Sequence, residues 1–326
     1  MEYSLLFAGG PFNPQLRGFL TNISIKDEIG LLSDTVDMTF TYDERLPDFE
    51  LGMIVTVKLG DAQKLWDVGQ YNISEINLQG PPHELVVRGL SSPFLLKKGL
   101  QDSHIRGWQR GEAKLSEIME IVVSEAGFTL EYNAPDEIMP HTWQKGETDA
   151  EFLARLGRLR DLRFKVSDDK IVVFKTDASV NLSGVPLKTL KINYVGDQIK
   201  YTYRRSERDA YQSAVAWVQD IQSGEKAMVQ VPESGGNPQF VFTETFSTEA
   251  EAEAACQTKL SESNRYTRVA TIEMPPRPDV IAGGTMIFSG FPREMNDKKF
   301  LIETVNHDFS STGGYVISTS LVNTDE

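Results

Sequence analysis

The chain has 326 residues, more than one ordinary hydrophobic core holds, so its length predicts two or three domains. Hydrophobic residues make up 40% and charged residues 25%, as in globular proteins, and a formal net charge of −14 argues against tight binding to nucleic-acid phosphates. One cysteine excludes an internal disulfide, and the lack of an apolar run of about 18 residues predicts a protein that folds in the cytoplasm and does not bind membranes by itself.

The segment up to about residue 98 has the pattern of short β-strands. Val36, Met38 and Phe40 alternate with threonine and aspartate, which is the period of two expected for a half-buried strand. A strand with Leu20, Ile23 and Ile25 leads into a turn at 27–30, and further strands are predicted at 54–59, 66–73 and 85–90, with polar turns between them. This spacing predicts a first β-barrel or sandwich over residues 1–98, with or without a later strand to complete it.

The pattern changes to α/β after Trp108. Apolar residues recur at helical spacing from Leu115 to Val123, and Gly127 follows as a C-terminal cap. Thr148 and Glu151 have the spacing of a capping box at the start of a second helix. A hairpin with its turn at 168–169 follows that helix, so we expect a small α/β module at 99–178, inserted between β regions.

The last segment, residues 179–326, returns to β. Strands are predicted at 199–203, 214–218, 267–272, 286–288, 300–302 and 315–321, and one helix is predicted at about 248–263. The fold class is therefore mainly β with an α+β insertion.

No group of residues has the pattern of a chemical site. The adjacent pair Asp168–Asp169 lies at a predicted turn, where aspartates are common. His141 and His307 have no nucleophile or metal partner visible in the sequence, and a buried structural role is the default for Cys256. The sequence therefore predicts no catalytic, cofactor-binding or metal-binding residues, and no enzyme.

Two stretches carry a resemblance to a known family. The first has the order Q-x-x-E-S/T-D-x-E-F-L-x-R-L before a short hairpin, and the second has a V-x-H-x-F element, a glycine turn and a final strand. The sequence resembles the late control protein D family of phage tails, the baseplate hubs of contractile tails, which are related to the head of type VI secretion spike proteins. The matching residues are Gln144, Thr148, Asp149, Glu151, Phe152, Leu153, Arg155, Leu156, His307, Phe309, Gly313 and Gly314.

The resemblance implies two tube-type β-barrel domains, at 1–98 and 179–326, on either side of the α/β module. It implies a homotrimer whose six barrels form a pseudo-sixfold ring between the hexameric tail tube and the trimeric central spike. The implied partners are the spike, tail tube, baseplate wedge and tape-measure proteins, with DNA only in transit through the lumen. The implied location is the tail baseplate of a virion, assembled in the cytoplasm of the bacterial host. No β-helical repeat follows the last predicted strand, so we expect the spike to be a separate protein.

Two alternatives to the hub remain open from the residues alone. Abundant carboxylates and several aromatic residues, including Trp66, Trp108, Trp143 and Trp217, are compatible with a tail-associated glycan-cleaving enzyme. The same aromatic residues are compatible with a carbohydrate-binding β protein without catalysis. If the chain is a hub, lumen-facing residues are expected to be polar or acidic, because lumen cations would retain DNA.

Overall fold

The fold was analysed in a computed structural model, which describes residues 2–7, 10–30, 34–61, 63–91, 98–109, 111–139, 141–167, 170–175, 188–207, 210–219, 226–246 and 248–324. The described part of the chain is mainly β, as predicted. The aspartate turn expected at 168–169 lies outside the described residues. Among the described helices, none is long and apolar enough to cross a membrane.

The first β region forms an antiparallel run of strands in the order β3–β4–β7–β6–β5–β1–β2. Strand β4 shows why these segments are strands: Val36, Met38 and Phe40 are buried, and Asp37 and Thr39 between them are on the opposite, less buried face. The predicted strands are confirmed, and β6 continues to residue 79. The strands are β1 Glu2–Phe7, β2 Gly10–Pro11, β3 Leu20–Glu28, β4 Thr35–Thr41, β5 Ile54–Gly60, β6 Leu65–Gln79 and β7 Glu84–Leu90.

The α/β module has two small sheets and two helices around its own core. Strands β8 and β10 form a two-stranded ribbon, and the second sheet has the order β11–β12–β9. Gly127 takes the left-handed conformation after α1, with φ of 83°, as expected for a C-terminal cap. The elements are β8 Ser103–Trp108, α1 Leu115–Glu125, β9 Thr129–Asn133, β10 Thr142–Thr148, α2 Asp149–Arg158, β11 Leu162–Ser167 and β12 Lys170–Lys175.

The second β region contains a separate α/β unit that the sequence pattern does not predict. The pattern groups 214–218 with the strands of the second barrel, but this segment is the central strand of its own sheet, β16–β15–β17, with α3 packed on one face. The pattern of a short apolar strand does not reveal which sheet the strand joins. The elements are β13 Leu190–Asn193, β14 Lys200–Arg205, β15 Ser213–Gln219, β16 Lys226–Val231, β17 Gln239–Phe246, α3 Glu249–Arg265, β18 Arg268–Met274, β19 Thr285–Ser289, β20 Lys299–Ser310 and β21 Gly314–Asn323.

A single 13-stranded sheet joins the two β regions. The junction is the antiparallel pairing of β3 with β20, in which Ile25 faces His307 and Ser24 faces Asp308. Beyond β20 the sheet continues through β21, β18 and β14, and β19 and β13 branch from β20. One hydrophobic core contains residues of both regions, including Ile23, Phe40 and Phe300.

Hydrogen bonds and ion pairs attach the α/β module to both β regions. The backbone N–H of Gly30 donates to the carbonyl of Phe164 over 2.9 Å, next to the ion pair of Lys165 with Asp27. On the other side, the guanidinium of Arg265, at the end of α3, donates to both carboxylate oxygens of Asp161 over 3.0 and 3.1 Å. The module is therefore held at the place where the two β regions meet.

Candidate functional site

A buried polar network holds the first family-like motif together. Gln144 on β10 and Asp149 at the start of α2 are buried, with Asp149 only 1% exposed. The Asp149 carboxylate accepts from Arg106 over 2.8 Å and from the Gln144 amide over 2.7 Å, and His104 Nδ1 lies 3.2 Å away. Because its acceptors are occupied by side chains of the same module, Asp149 is placed to fix the ribbon against the helix rather than to act as a base.

The remaining residues of the first motif cap the helix and fill the core of the module. The Thr148 hydroxyl accepts from the Glu151 backbone N–H over 3.2 Å, and the Glu151 carboxylate accepts from the Thr148 N–H over 2.9 Å, so the predicted capping box is present. Phe152 stacks on Trp108 with ring centroids 5.6 Å apart, and Leu153 and Leu156 are buried beside it.

Arg155 links the motif back to the ribbon. Its guanidinium donates to the Glu147 carboxylate over 2.6 Å and to the Trp143 carbonyl over 2.7 Å, and it lies over the Phe152 ring. All eight residues of the first motif are therefore brought together in one module, where they determine its packing.

The second motif lies elsewhere, on the hairpin of β20 and β21. His307 and Phe309 are buried on β20, and Phe309 packs edge-on against Tyr3 with centroids 5.2 Å apart. Gly313 and Gly314 form the turn of the hairpin, and Gly314 has φ of 84°, a left-handed conformation that favours glycine. The structure does not bring the two motifs into one site.

A cavity of about 450 Å³ opens where the two β regions meet the module, and we call it the junction cavity. Its walls include Trp66 and Tyr71 of the first β region, Lys165 of the module, and His307 and Tyr315 of the second β region. The Tyr71 phenol is accommodated because position 69 is glycine: a Cβ there would lie 2.9 Å from the phenol oxygen. His307 is therefore the motif residue that reaches a cavity.

The ionisable groups of the junction cavity differ sharply in their surroundings. Asp27 accepts from the Ala282 backbone N–H over 2.8 Å and forms an ion pair with Lys165. Asp34 lies 3.8 Å from the Lys165 ammonium, and burial raises the pKa of its carboxyl to about 7, against the opposing effect of Lys165. Burial lowers the pKa of His307, whose Nδ1 lies 2.6 Å from the Tyr315 hydroxyl.

In the sequence, only His307 and Trp66 of this lining stand out. Asp27 begins a predicted turn at 27–30, Asp34 belongs to no predicted element, and Lys165 lies more than 130 residues further along the chain. Their common location follows from the β3–β20 pairing and the docking of the module. No local pattern signals either arrangement.

The described residues offer little for bond-making chemistry. They contain no group of three or more histidine, cysteine or acidic side chains that could hold a metal ion. Cys256 is buried in α3 and its thiol pKa is raised to about 11 by burial, so the thiolate that a nucleophile or metal ligand requires is disfavoured.

Exposed apolar side chains cluster on two faces. On the ribbon, Ile105 is 80% exposed and Trp143 is 44% exposed beside the ring of His141. On the sheet of the second α/β unit, Trp217 and Met228 are opposite each other in the strand register and both are exposed. Such faces are typical of proteins that assemble with others.

Comparisons with known proteins agree on one family. Residues 91–313 match the family described as phage tail baseplate hub (GPD). A probable baseplate hub protein of Escherichia phage P2 is 22% identical, with 98% of this chain and 92% of that protein covered.

Solved structures show the same fold. A 43 kDa tail protein of prophage MuSo2 from Shewanella oneidensis superposes with a TM-score of 0.72 at 18% identity, over 99% of this chain and 98% of that one. A component of the Escherichia coli type VI secretion system superposes with a TM-score of 0.58 at 11% identity, over 99% of this chain and 77% of that one. The predicted fold class and the predicted family are thus confirmed.

Proposed function

Since the chain belongs to the phage tail baseplate hub (GPD) family, we propose that it forms a trimeric, pseudo-sixfold ring in the tail baseplate of the virion. The ring joins the hexameric tail tube on one side to the trimeric central spike on the other. In this proposal the two tube-type units of each chain correspond to residues 1–98 and 179–326, and the module at 99–178 lies between them.

The observation that carries this proposal is the division of the large sheet. Six longer strands come from the first β region and six from the second, with the two-residue β2 at the end of the series. A chain with two such units can present six units in a trimer, which matches a sixfold tube while keeping the threefold symmetry of a spike. In such a ring, each subunit contacts the next through two different faces. Once the ring has closed, neither face is left free to add further subunits.

The proposed partners follow from this position. They are two further copies of the chain, the central spike protein, the tail tube protein, the baseplate wedge proteins and the tape-measure protein. DNA passes through the lumen without specific binding, for which the net charge of −14 is suited. Assembly takes place in the cytoplasm of the bacterial host, and the protein needs no cofactor and no membrane for it.

Electron microscopy of negatively stained protein at high concentration tests the ring directly. We expect threefold particles with a central opening and a mass of about 110 kDa by light scattering, three times the 36.5 kDa of one chain. The matched sample adds the proposed central spike protein, which should bind one face of the ring. Only single-chain particles in both samples would contradict the trimer.

We also propose that the protein has no enzymatic activity, because Asp149, the most buried carboxylate in the described part of the chain, is engaged by Arg106 and Gln144 within the fold. Incubation with purified peptidoglycan should release no soluble fragments, whereas a lysozyme control should release them. Fragment release that persists after repurification would favour the glycan-cleaving alternative. Retention on a glycan array without cleavage would favour the carbohydrate-binding one.

A further inference from the structure

The junction cavity carries more negative than positive charge. Asp27, Asp34 and Asp67 line it, and Lys165 is its ammonium group. Lys165 is engaged mainly by Asp27, while Asp67 has only a half-exposed partner, Lys58, at 3.6 Å. An exposed ion pair such as Asp67–Lys58 contributes little stability. Since Lys165 is engaged mainly by Asp27, the Asp34 carboxylate has no close counter-ion of its own among the described residues of the cavity.

Asp34 is poorly supplied with hydrogen-bond donors for a carboxylate that is only 21% exposed. One oxygen, Oδ1, accepts from the Glu28 backbone N–H over 3.2 Å. The other oxygen, Oδ2, has Lys165 at 3.8 Å, which is beyond hydrogen-bond distance. A buried carboxylate in this condition is stabilised by any cation that reaches Oδ2.

The rest of the lining suits an organic cation. Trp66, Tyr71 and Tyr315 provide aromatic rings, which attract cations through the negative charge of their faces. The hydroxyl oxygen of Ser91, also in the lining, is buried and has no hydrogen-bond partner among the described residues, so it is free to accept from a ligand N–H. The volume of about 450 Å³ lies within the range of small-molecule pockets, roughly 300–1,000 Å³.

We propose that the junction cavity binds an alkylammonium group, with Asp34 as its counter-ion, Ser91 as a second acceptor and Trp66 along its alkyl chain. Since Oδ1 of Asp34 is already engaged, a single oxygen remains, which suits a compact ammonium better than a guanidinium that needs both. The ammonium comes from a free diamine or from the lysine side chain of a partner protein. The assignment does not depend on the ring proposed above.

Binding of an ammonium competes with the proton on Asp34. With the Asp34 pKa near 7, the carboxylate is mostly ionised at pH 8 and mostly protonated at pH 6. Burial lowers the pKa of His307, which favours its neutral form. Against the effect of burial, the neighbouring aspartates raise the pKa of Lys165, which favours its charged form. The charged and titratable groups that share this lining with Asp34 are Asp27, Asp67, Tyr71, Lys165, His307 and Tyr315. Glu28, Asp27 and Lys165 also act on the Asp34 carboxyl through their charges. Affinity should therefore fall about tenfold from pH 8 to pH 6.

Isothermal titration calorimetry of the full chain with 1,5-diaminopentane tests the site. We expect saturable binding at pH 8, about tenfold weaker binding at pH 6, and at least about tenfold weaker binding by Asp34→Asn at pH 8. Asp48→Asn removes an exposed carboxylate that is not part of this lining and should bind as the unchanged protein does. Equal affinity in Asp34→Asn, or no binding at pH 8, would overturn the proposal.

The pH comparison needs no variant, so it decides the question even if Asp34→Asn fails to fold. A parallel titration with Nα-acetyl-lysine methylamide separates the two sources of the ammonium. Binding of both probes supports a site open to a partner's lysine, and binding of the diamine alone supports a site for free diamines. Binding of neither rejects both.

Discussion

Asp149 is the residue on which the polar contacts of the module converge. Its carboxylate accepts from Arg106 and Gln144, and its backbone N–H donates to the Asp102 carbonyl over 3.2 Å. We expect Asp149→Ala to destabilise the protein by about 3 kcal/mol, because the largely buried guanidinium of Arg106 loses its buried counter-ion and keeps the more exposed carboxylate of Glu125. Urea denaturation followed by circular dichroism measures this loss.

The matched control is Glu151→Ala, two residues further along α2. It removes an exposed acceptor of the capping box but leaves the buried network intact, so a loss of about 1 kcal/mol is expected. If the two substitutions destabilise the protein equally, the network around Asp149 is not what holds the ribbon to the helix.

The sequence predicts the helix cap of this site but not the buried network around Asp149. Thr148 and Glu151 form a local pattern, so their capping role could be predicted and is confirmed. The importance of Asp149 could be named only through the family resemblance. Its partners His104 and Arg106 lie more than 40 residues away on β8, a strand that lacks clear alternation and was not predicted.

At the scale of elements, the predicted helices and most strands agree with the structure, and the differences have physical causes. Strands β6 and β20 extend beyond their apolar segments, because antiparallel partners continue to pair with their polar ends. Strand β1 was missed although Tyr3 and Leu5 are buried, because the sequence around them has no regular polar alternation. Pairing partners, rather than local propensity, decide where these strands end.

The contact between Arg265 and Asp161 joins the two α/β units, and we expect it to couple their stabilities. In a double-mutant cycle of Arg265→Ala and Asp161→Asn, the coupling should be about 1–2 kcal/mol, because the Arg265 side chain is only 9% exposed. Asparagine is chosen for position 161 since its φ of 54° is left-handed, which asparagine tolerates better than alanine. The coupling is obtained from the free energies of unfolding in urea of the unchanged protein, the two single variants and the double variant.

The exposed pair Arg277–Asp279 serves as the control for that cycle. Its side chains are 39% and 47% exposed, so its coupling should stay below about 0.5 kcal/mol. Additive effects at Arg265 and Asp161, like those expected for the exposed pair, would show that the two units are stabilised independently.

For the whole molecule, the decisive contact is the pairing of β3 with β20, which lie about 280 residues apart in the chain. Both strands were predicted, but a strand pattern does not specify a distant partner. The same limit hid the second α/β unit, whose central strand β15 has an apolar sequence as suited to a barrel as to its own sheet. Composition and periodicity therefore predicted the mainly β class, while the junction required three-dimensional structure.

This pairing predicts that residues 1–98 do not form a folded monomer by themselves. Without β20, one edge of β3 loses its partner from residue 22 to residue 28, and the shared core is opened at Ile23 and Ile25. An unpaired apolar edge strand promotes association with other chains. The isolated fragment should therefore aggregate or give poorly dispersed amide resonances in a two-dimensional NMR spectrum.

Joining residues 299–310 to the C-terminus of this fragment through a flexible glycine–serine linker should improve the dispersion, because the missing edge partner is restored. A fragment of residues 1–98 that is monomeric and unfolds cooperatively without this addition would mean that the first unit is complete without β20.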